Sequence, residues 1–131
     1  MQSLDEFSVN LLSCDDFDRS MPALTPLIDF GLAKQRTQYF TKEQLISDIE
    51  KDLKQMWVVF NHKTLSPTGI VVTQIVDYGG RRTLTIPLLA GYGVKKWIQL
   101  VYRVESWGLD EKCVFFEVTA RNGWVKYLRF L

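Results

Sequence analysis

The chain has 131 residues, a net charge of +1, 47% hydrophobic residues and 24% charged ones. That length fits one domain, residues 1–131, with a sizeable core, and the near-neutral balance exerts no global pull toward nucleic acid or anionic lipid. No apolar run approaches the roughly 18 residues of a membrane span.

Two cysteines, Cys14 and Cys113, show no metal-ligand spacing, so no metal is expected. They suit a reduced protein, either cytosolic or packaged in a particle assembled in a cytosol. The first residues carry acids and no basic stretch, unlike a secretory signal.

Residues 1–20 form an acidic, loosely patterned segment with a strand expected around Phe7–Leu12. Prolines disfavour helical geometry in the residue before them, so Met21–Pro22 and Thr25–Pro26 read as turns or a helix start. Thr25 is then a candidate N-cap, and Leu27, Ile28 and Leu32 an apolar stripe. Residues 41–54 predict a helix. Thr41 caps it, Gln44 completes a capping-box spacing, and Leu45, Ile46, Ile49 and Leu53 recur at helical intervals.

Turn-forming stretches then separate Trp57–Asn61, Ile70–Tyr78 and Thr83–Leu89, which predict a three-stranded antiparallel meander. Past Gly91-Tyr92-Gly93, the residues Val94, Ile98, Val101, Tyr102 and Val104 mark one long helix through about Trp107, ended by Gly108. "CVFFEVTA" is apolar nearly throughout and reads as a strand buried on both faces. "RNGWVKYLRFL" reads as a closing helix with Trp124, Leu128 and Leu131 on one face. The class is α+β, a central, mostly antiparallel sheet with helices on both faces.

The glycines between strand and helix leave two readings open. A helix start exposes backbone N–H groups, and glycines let a phosphate approach them; the same pair also makes an ordinary tight turn. Lys95 and Lys96 sit at the positive end of a helix, which favours a bound anion there over an empty site. Glu117 interrupts an apolar strand, so its charge must meet water, a partner or a substrate, and it is a candidate base along with Glu105. His62, the sole histidine, lies in turn chemistry and reads as an exposed loop residue. Cys113 reads as a small core residue. Trp97 belongs either to the core or to a surface facing a partner or an adenine ring.

Carried by "LLAGYGVKKW" and "DEKCVFFEVTARNGWVKYL", the order of elements over residues 25–131 resembles the GNAT superfamily of acyl-CoA-dependent N-acetyltransferases. It is similar in particular to small, divergent GNAT-like proteins of bacteriophages, through Arg121, Gly123, Trp124 and Leu128. The resemblance implies acetyl-CoA as cofactor. Ile86, Leu88 and Leu89 would pair with its pantetheine arm through the main chain, and Gly91, Tyr92, Gly93, Val94 and Lys95 would line its phosphates. Asn122 matches a position on the last helix that contacts cofactor.

The family's phosphate-loop Gln/Arg is replaced by Leu88, and Arg129 stands where its general-acid Tyr belongs. Tyr127, two residues earlier, is the remaining candidate acid, with Glu117 the candidate base. The hairpin that usually follows is missing or reduced. Two functions follow from the resemblance: an N-acetyltransferase acting on an unidentified amine, or a catalytically inactive structural or host-interaction protein of a bacteriophage, with a protein partner or a virion assembly as its context. A nucleic-acid partner is not expected.

Overall fold

The computed structural model describes residues 6–35 and 40–118. Among these residues five strands form one sheet in the order β1-β2-β3-β4-β5. β1 (Phe7–Leu11), β2 (Gln55–Asn61), β3 (Ser66–Tyr78) and β4 (Arg81–Gly91) are antiparallel neighbours, and β5 (Phe115–Val118) lies parallel to β4. The expected meander is present and gains β1 as a fourth strand. Of the first twenty residues, those described, 6–20, supply β1, the start of the first helix and the short link between them.

Alternation along the strands divides the core into two layers. Met56, Val58, Ile70 and Val72 face helices α1 (Cys14–Lys34) and α2 (Lys42–Glu50). Trp57, Val59 and Val71 face the opposite layer, with α3 (Val94–Trp97), a 3₁₀ turn (Ile98–Leu100) and α4 (Val101–Asp110).

α1 differs from the sequence expectation. It starts at Cys14, capped by Ser13, whose hydroxyl accepts from the Asp16 N–H (3.1 Å), and it runs through both prolines. Thr25 is no cap; its hydroxyl donates to the Met21 carbonyl at 2.8 Å in mid-helix. Five of the helix's apolar residues, Phe17, Leu24, Leu27, Ile28 and Leu32, are buried. Burial at about 1.5–3 kcal/mol for each large apolar side chain outweighs the roughly 3 kcal/mol penalty of a mid-helix proline.

The capping box of α2 forms as expected, with Gln44 N–H donating to Thr41 Oγ1 (3.1 Å) and Thr41 N–H to Gln44 Oε1 (2.8 Å). The helix stops at Glu50, because Asp52 turns left-handed at φ 62°, and Leu53 is left exposed. The expected single helix after the glycines is broken by the 3₁₀ turn, and Tyr102 lies outside its buried stripe. Gly108 does not end α4 but lies inside it, where a Cβ would meet Leu84 Cδ2 at 2.7 Å and Phe116 Cε1 at 3.2 Å. The helix closes instead with Lys112 at φ 70°, with Lys112 N–H donating to Leu109 O (3.0 Å) and Cys113 N–H to Gly108 O (2.9 Å).

β5 is not buried on both faces: Phe115 and Phe116 keep 47% and 37% of their surface exposed. The expected closing helix, residues 121–131, lies outside the described residues.

Candidate functional site

The turn from β4 to α3 is pinned at Tyr92. Its N–H donates to Thr68 O (2.9 Å), and its carbonyl accepts from Thr68 Oγ1 (3.2 Å) and from the indole N–H of Trp97 (2.9 Å). Thr68 is free to reach across because it is an extra residue on β3. Val59 pairs with Gly69 and Phe60 with Pro67, so Thr68 has no partner on β2.

The two glycines of the turn do different work. Gly91 faces Gly69 across the ladder. A Cβ would reach Trp97 Cζ2 at 2.8 Å from Gly91 and at 2.5 Å from Gly69. Together they form the slot for Trp97, which is wholly buried and so belongs to the core rather than to a surface for a partner or adenine. Gly93 sits left-handed at φ 62° with open space before it: a Cβ there would meet only Lys96 Cδ, at 3.8 Å. Lys95 and Lys96 are exposed, and α3 is a single turn whose first N–H groups have no intrahelical acceptor. Exposed Tyr92 stacks on Phe30 of α1 at 5.2 Å, and Lys34 Nζ lies 5.4 Å from the same ring.

Upstream, β4 carries a bulge. Val72 pairs with Leu88 and Gln74 with Thr85, so Ile86 and Pro87 together stand opposite Thr73. Proline lacks the donor a ladder needs, which suits it to such a position. The bulge changes the strand's phase: Leu84 and Ile86 face the α3–α4 layer, but Leu88 and Ala90 face α1, with Leu89 returning to the α3–α4 layer. Ile86, Leu88 and Leu89 are buried, so only their backbone can face a ligand. The pairing of β4 with β5 extends to Ile86↔Val118, level with the bulge, and β4 runs on from there to Gly91 with β3 as its neighbour among the described residues.

Gln35, the C-cap of α1, reaches the bulge. Its Nε2 donates to Pro87 O at 2.9 Å, while its Oε1 is buried without a hydrogen-bond partner among the described residues. No sequence spacing singles Gln35 out.

The other expected site residues are dispersed. Glu117, on β5 opposite Thr85, is exposed. Tyr127 and Asn122 lie outside the described residues. Val94 is half-buried at the start of α3. His62, exposed in its loop, shares a 3.0 Å hydrogen bond with Ser8 Oγ. Cys113 is buried, and that burial pushes its thiol above the ordinary 9.0, only partly countered by Arg82. No cluster of three or more metal-ligating side chains occurs among the described residues. A cavity of about 730 Å³ at the opposite end of β4, lined in part by Leu11, Leu53, Met56, Arg82 and Trp107, had no sequence signal. It gathers residues from β1, α1, α2, β2, β3, β4 and α4 and from links between elements, far apart in the chain.

No family model and no curated protein matches the sequence. Solved structures do match its fold. An aminoglycoside acetyltransferase from an uncultured soil metagenomic sample, in complex with trehalose, superposes with a TM-score of 0.68 at 12% identity, over 96% of this chain and 85% of that one. A GNAT family acetyltransferase of Staphylococcus aureus gives 0.61 at 13%, over 89% and 88%. A protein described as a predicted acetyltransferase, with acetyl-CoA, from Clostridium acetobutylicum gives 0.62 at 11%, over 93% and 88%. At such identities the likeness is one of fold.

Proposed function

We propose that this chain, which has the fold of the GNAT acetyltransferases, is an acyl-CoA-dependent N-acyltransferase. The observation that carries this reading is the coincidence of the β4 bulge with the last described β4–β5 pair, followed by a pinned turn that presents Gly93, Lys95 and Lys96 to solvent. A fold hosts many functions, so the argument rests on this site and not on the fold alone.

The residues present fit acetyl-CoA in three respects. Open space before Gly93 admits a phosphate that a side chain at that position would crowd. Lys95 and Lys96 supply two cations beside it. Successive residues of a strand turn their N–H and C=O groups to opposite edges, so those of Pro87–Leu89 that β3 does not take up can meet an extended arm in the manner of an added strand. Acetyl-CoA supplies an activated acyl group as a thioester. The chain's own contribution is to hold that thioester and an amine together, which by itself removes much of the barrier. Glu117 and Tyr127 remain the proposed base and acid, with Asn122 a further proposed cofactor contact.

The test is calorimetric titration with CoA and acetyl-CoA of the wild type and of a Lys95→Glu, Lys96→Glu double variant. Micromolar binding that weakens about tenfold or more in the double variant is expected. No heat from a folded wild type at millimolar CoA would retire the reading. Gly91→Val is unsuited as a control, since its side chain would collide with Thr68 and Trp97.

One observation favours a second reading, a non-catalytic binding or structural role such as a bacteriophage interaction protein. Leu88, where the resemblance places a phosphate-loop Gln or Arg, is buried against α1. That replacement gives the turn's first position to the core. A folded chain that ignores CoA but pulls down a protein partner would support it.

A further inference from the structure

We propose, resting on the acyltransferase reading, that Gln35 is a positioning residue that accepts a hydrogen bond from a ligand N–H at the β4 bulge. The orientation of its carboxamide is chemically forced. The Pro87 carbonyl can only accept, so the amide nitrogen must face it, and the oxygen is the atom left over. That oxygen is buried and has no partner among the described residues. Buried side-chain acceptors in folded proteins are nearly always satisfied, so this orphan at the bulge marks the place of a missing donor. The α1 C-cap holds it there: Gln35 N–H donates to Leu32 O (3.3 Å), and the backbone turns out of the helix at ψ 133°.

The acyl-transfer reading supplies two kinds of N–H at this point. One is an amide N–H of the CoA arm running along β4, and the other is the acceptor amine. A glutamine suits either, because it is neutral. A carboxylate in its place would favour the ammonium form of an amine, whereas the attacking form must keep its lone pair. Gln35 can align that neutral amine without favouring its protonation.

The experiment uses the full chain, wild type and Gln35→Met, titrated with CoA and with adenosine 3′,5′-diphosphate, which lacks the amide-bearing arm. Wild-type side-chain amide signals of Gln35 are followed by NMR in parallel, so that a poorly folded variant does not decide the matter. If the arm supplies the donor, Gln35→Met weakens CoA binding about tenfold and leaves adenosine 3′,5′-diphosphate unchanged. If the acceptor supplies it, CoA binding is unchanged, the Gln35 signals move when methylamine is added to the CoA complex, and Gln35→Met raises KM for methylamine in a thiol-release assay with acetyl-CoA. Gln35 signals that respond to neither ligand, or a variant altered only in melting temperature, would overturn the proposal and make Gln35 a purely structural tether. A wild type that fails to bind CoA at all fails the acyltransferase reading instead, and is told apart by that first titration.

Discussion

The indole N–H of Trp97 donates to the carbonyl of Tyr92, five residues earlier, at 2.9 Å. Because the same ring fills the slot between Gly69 and Gly91, the turn that faces the proposed ligand is fastened from inside the core. A loop held this way is pre-organised, and a ligand binding it has little ordering left to do.

The two turn glycines should separate in mutagenesis. Gly91→Ala places a methyl 2.5 Å from Thr68 O and should destabilise by about 2–3 kcal/mol or more through overpacking. Gly93→Asn meets open space and keeps a residue that tolerates left-handed geometry, so it should change stability by less than about 1 kcal/mol. Urea denaturation of both variants reads the difference. Equal losses would contradict the packing described for Trp97.

Lys112 occupies a left-handed position at the end of α4 where glycine is the usual choice. Lys112→Gly should stabilise the chain by about 1 kcal/mol. A fall in the denaturation midpoint would show that the lysine side chain does something the backbone does not.

Lys54 is 8% exposed, paired with Asp48, and its Nζ lies 5.3 Å from the centre of the Phe40 ring. Asp48→Asn strands a nearly buried cation and should destabilise by about 1–2 kcal/mol, less than for a fully buried pair because Asp48 is partly solvated. Lys54→Met replaces the charge with an apolar side chain of similar length, and should be near neutral. Thermal melts of both variants test the asymmetry; a larger loss in Lys54→Met would reverse the argument.

Cys113 gives a pH signature. Its thiol is raised in the folded state, so the folded chain holds the proton more tightly than the unfolded one. The resulting stability is fully present below the ordinary 9.0 and is lost as pH rises through the folded value. The stability difference between wild type and Cys113→Ala should therefore shrink as pH rises past 9.0. Exposed Cys14 should react quickly with an alkylating agent at neutral pH while Cys113 waits for unfolding. Equal reaction rates would place Cys113 at the surface.

Much of this architecture is legible in the residues. The capping box at Thr41 and Gln44, the turn chemistry between strands and the short apolar run of Trp57–Asn61 each act locally, so local reading finds them. α1 departs from the proline rule because that rule describes an isolated helix. Phe17, Leu24 and Ile28, buried together against the sheet, override it, and the Thr25 hydroxyl takes up the Met21 carbonyl. The separate roles of Gly91 and Gly93 depend on Gly69 and Trp97, which no pattern near the turn reveals. Gln35 and the bulge at Pro87 meet across 52 residues of chain, beyond the reach of any periodicity. The assignments at Glu117, Tyr127, Asn122 and the β4 backbone remain proposals.

The bulge at Ile86–Pro87 has a consequence for how this protein can vary. It works like an inserted beat in a two-beat rhythm, so the halves of β4 on either side of it are written in opposite phase. Removing Pro87 alone would close the bulge and keep both faces, because Leu88 following directly on Ile86 still points to α1, Leu89 to the α3–α4 layer and Ala90 to α1. The bulge thus stores one residue of length without exchanging the two layers, and deleting that residue would remove the Pro87 carbonyl that holds Gln35 rather than scramble the core. What the two layers cannot absorb is a straightened strand of the present length, which would exchange the faces of every residue beyond the bulge.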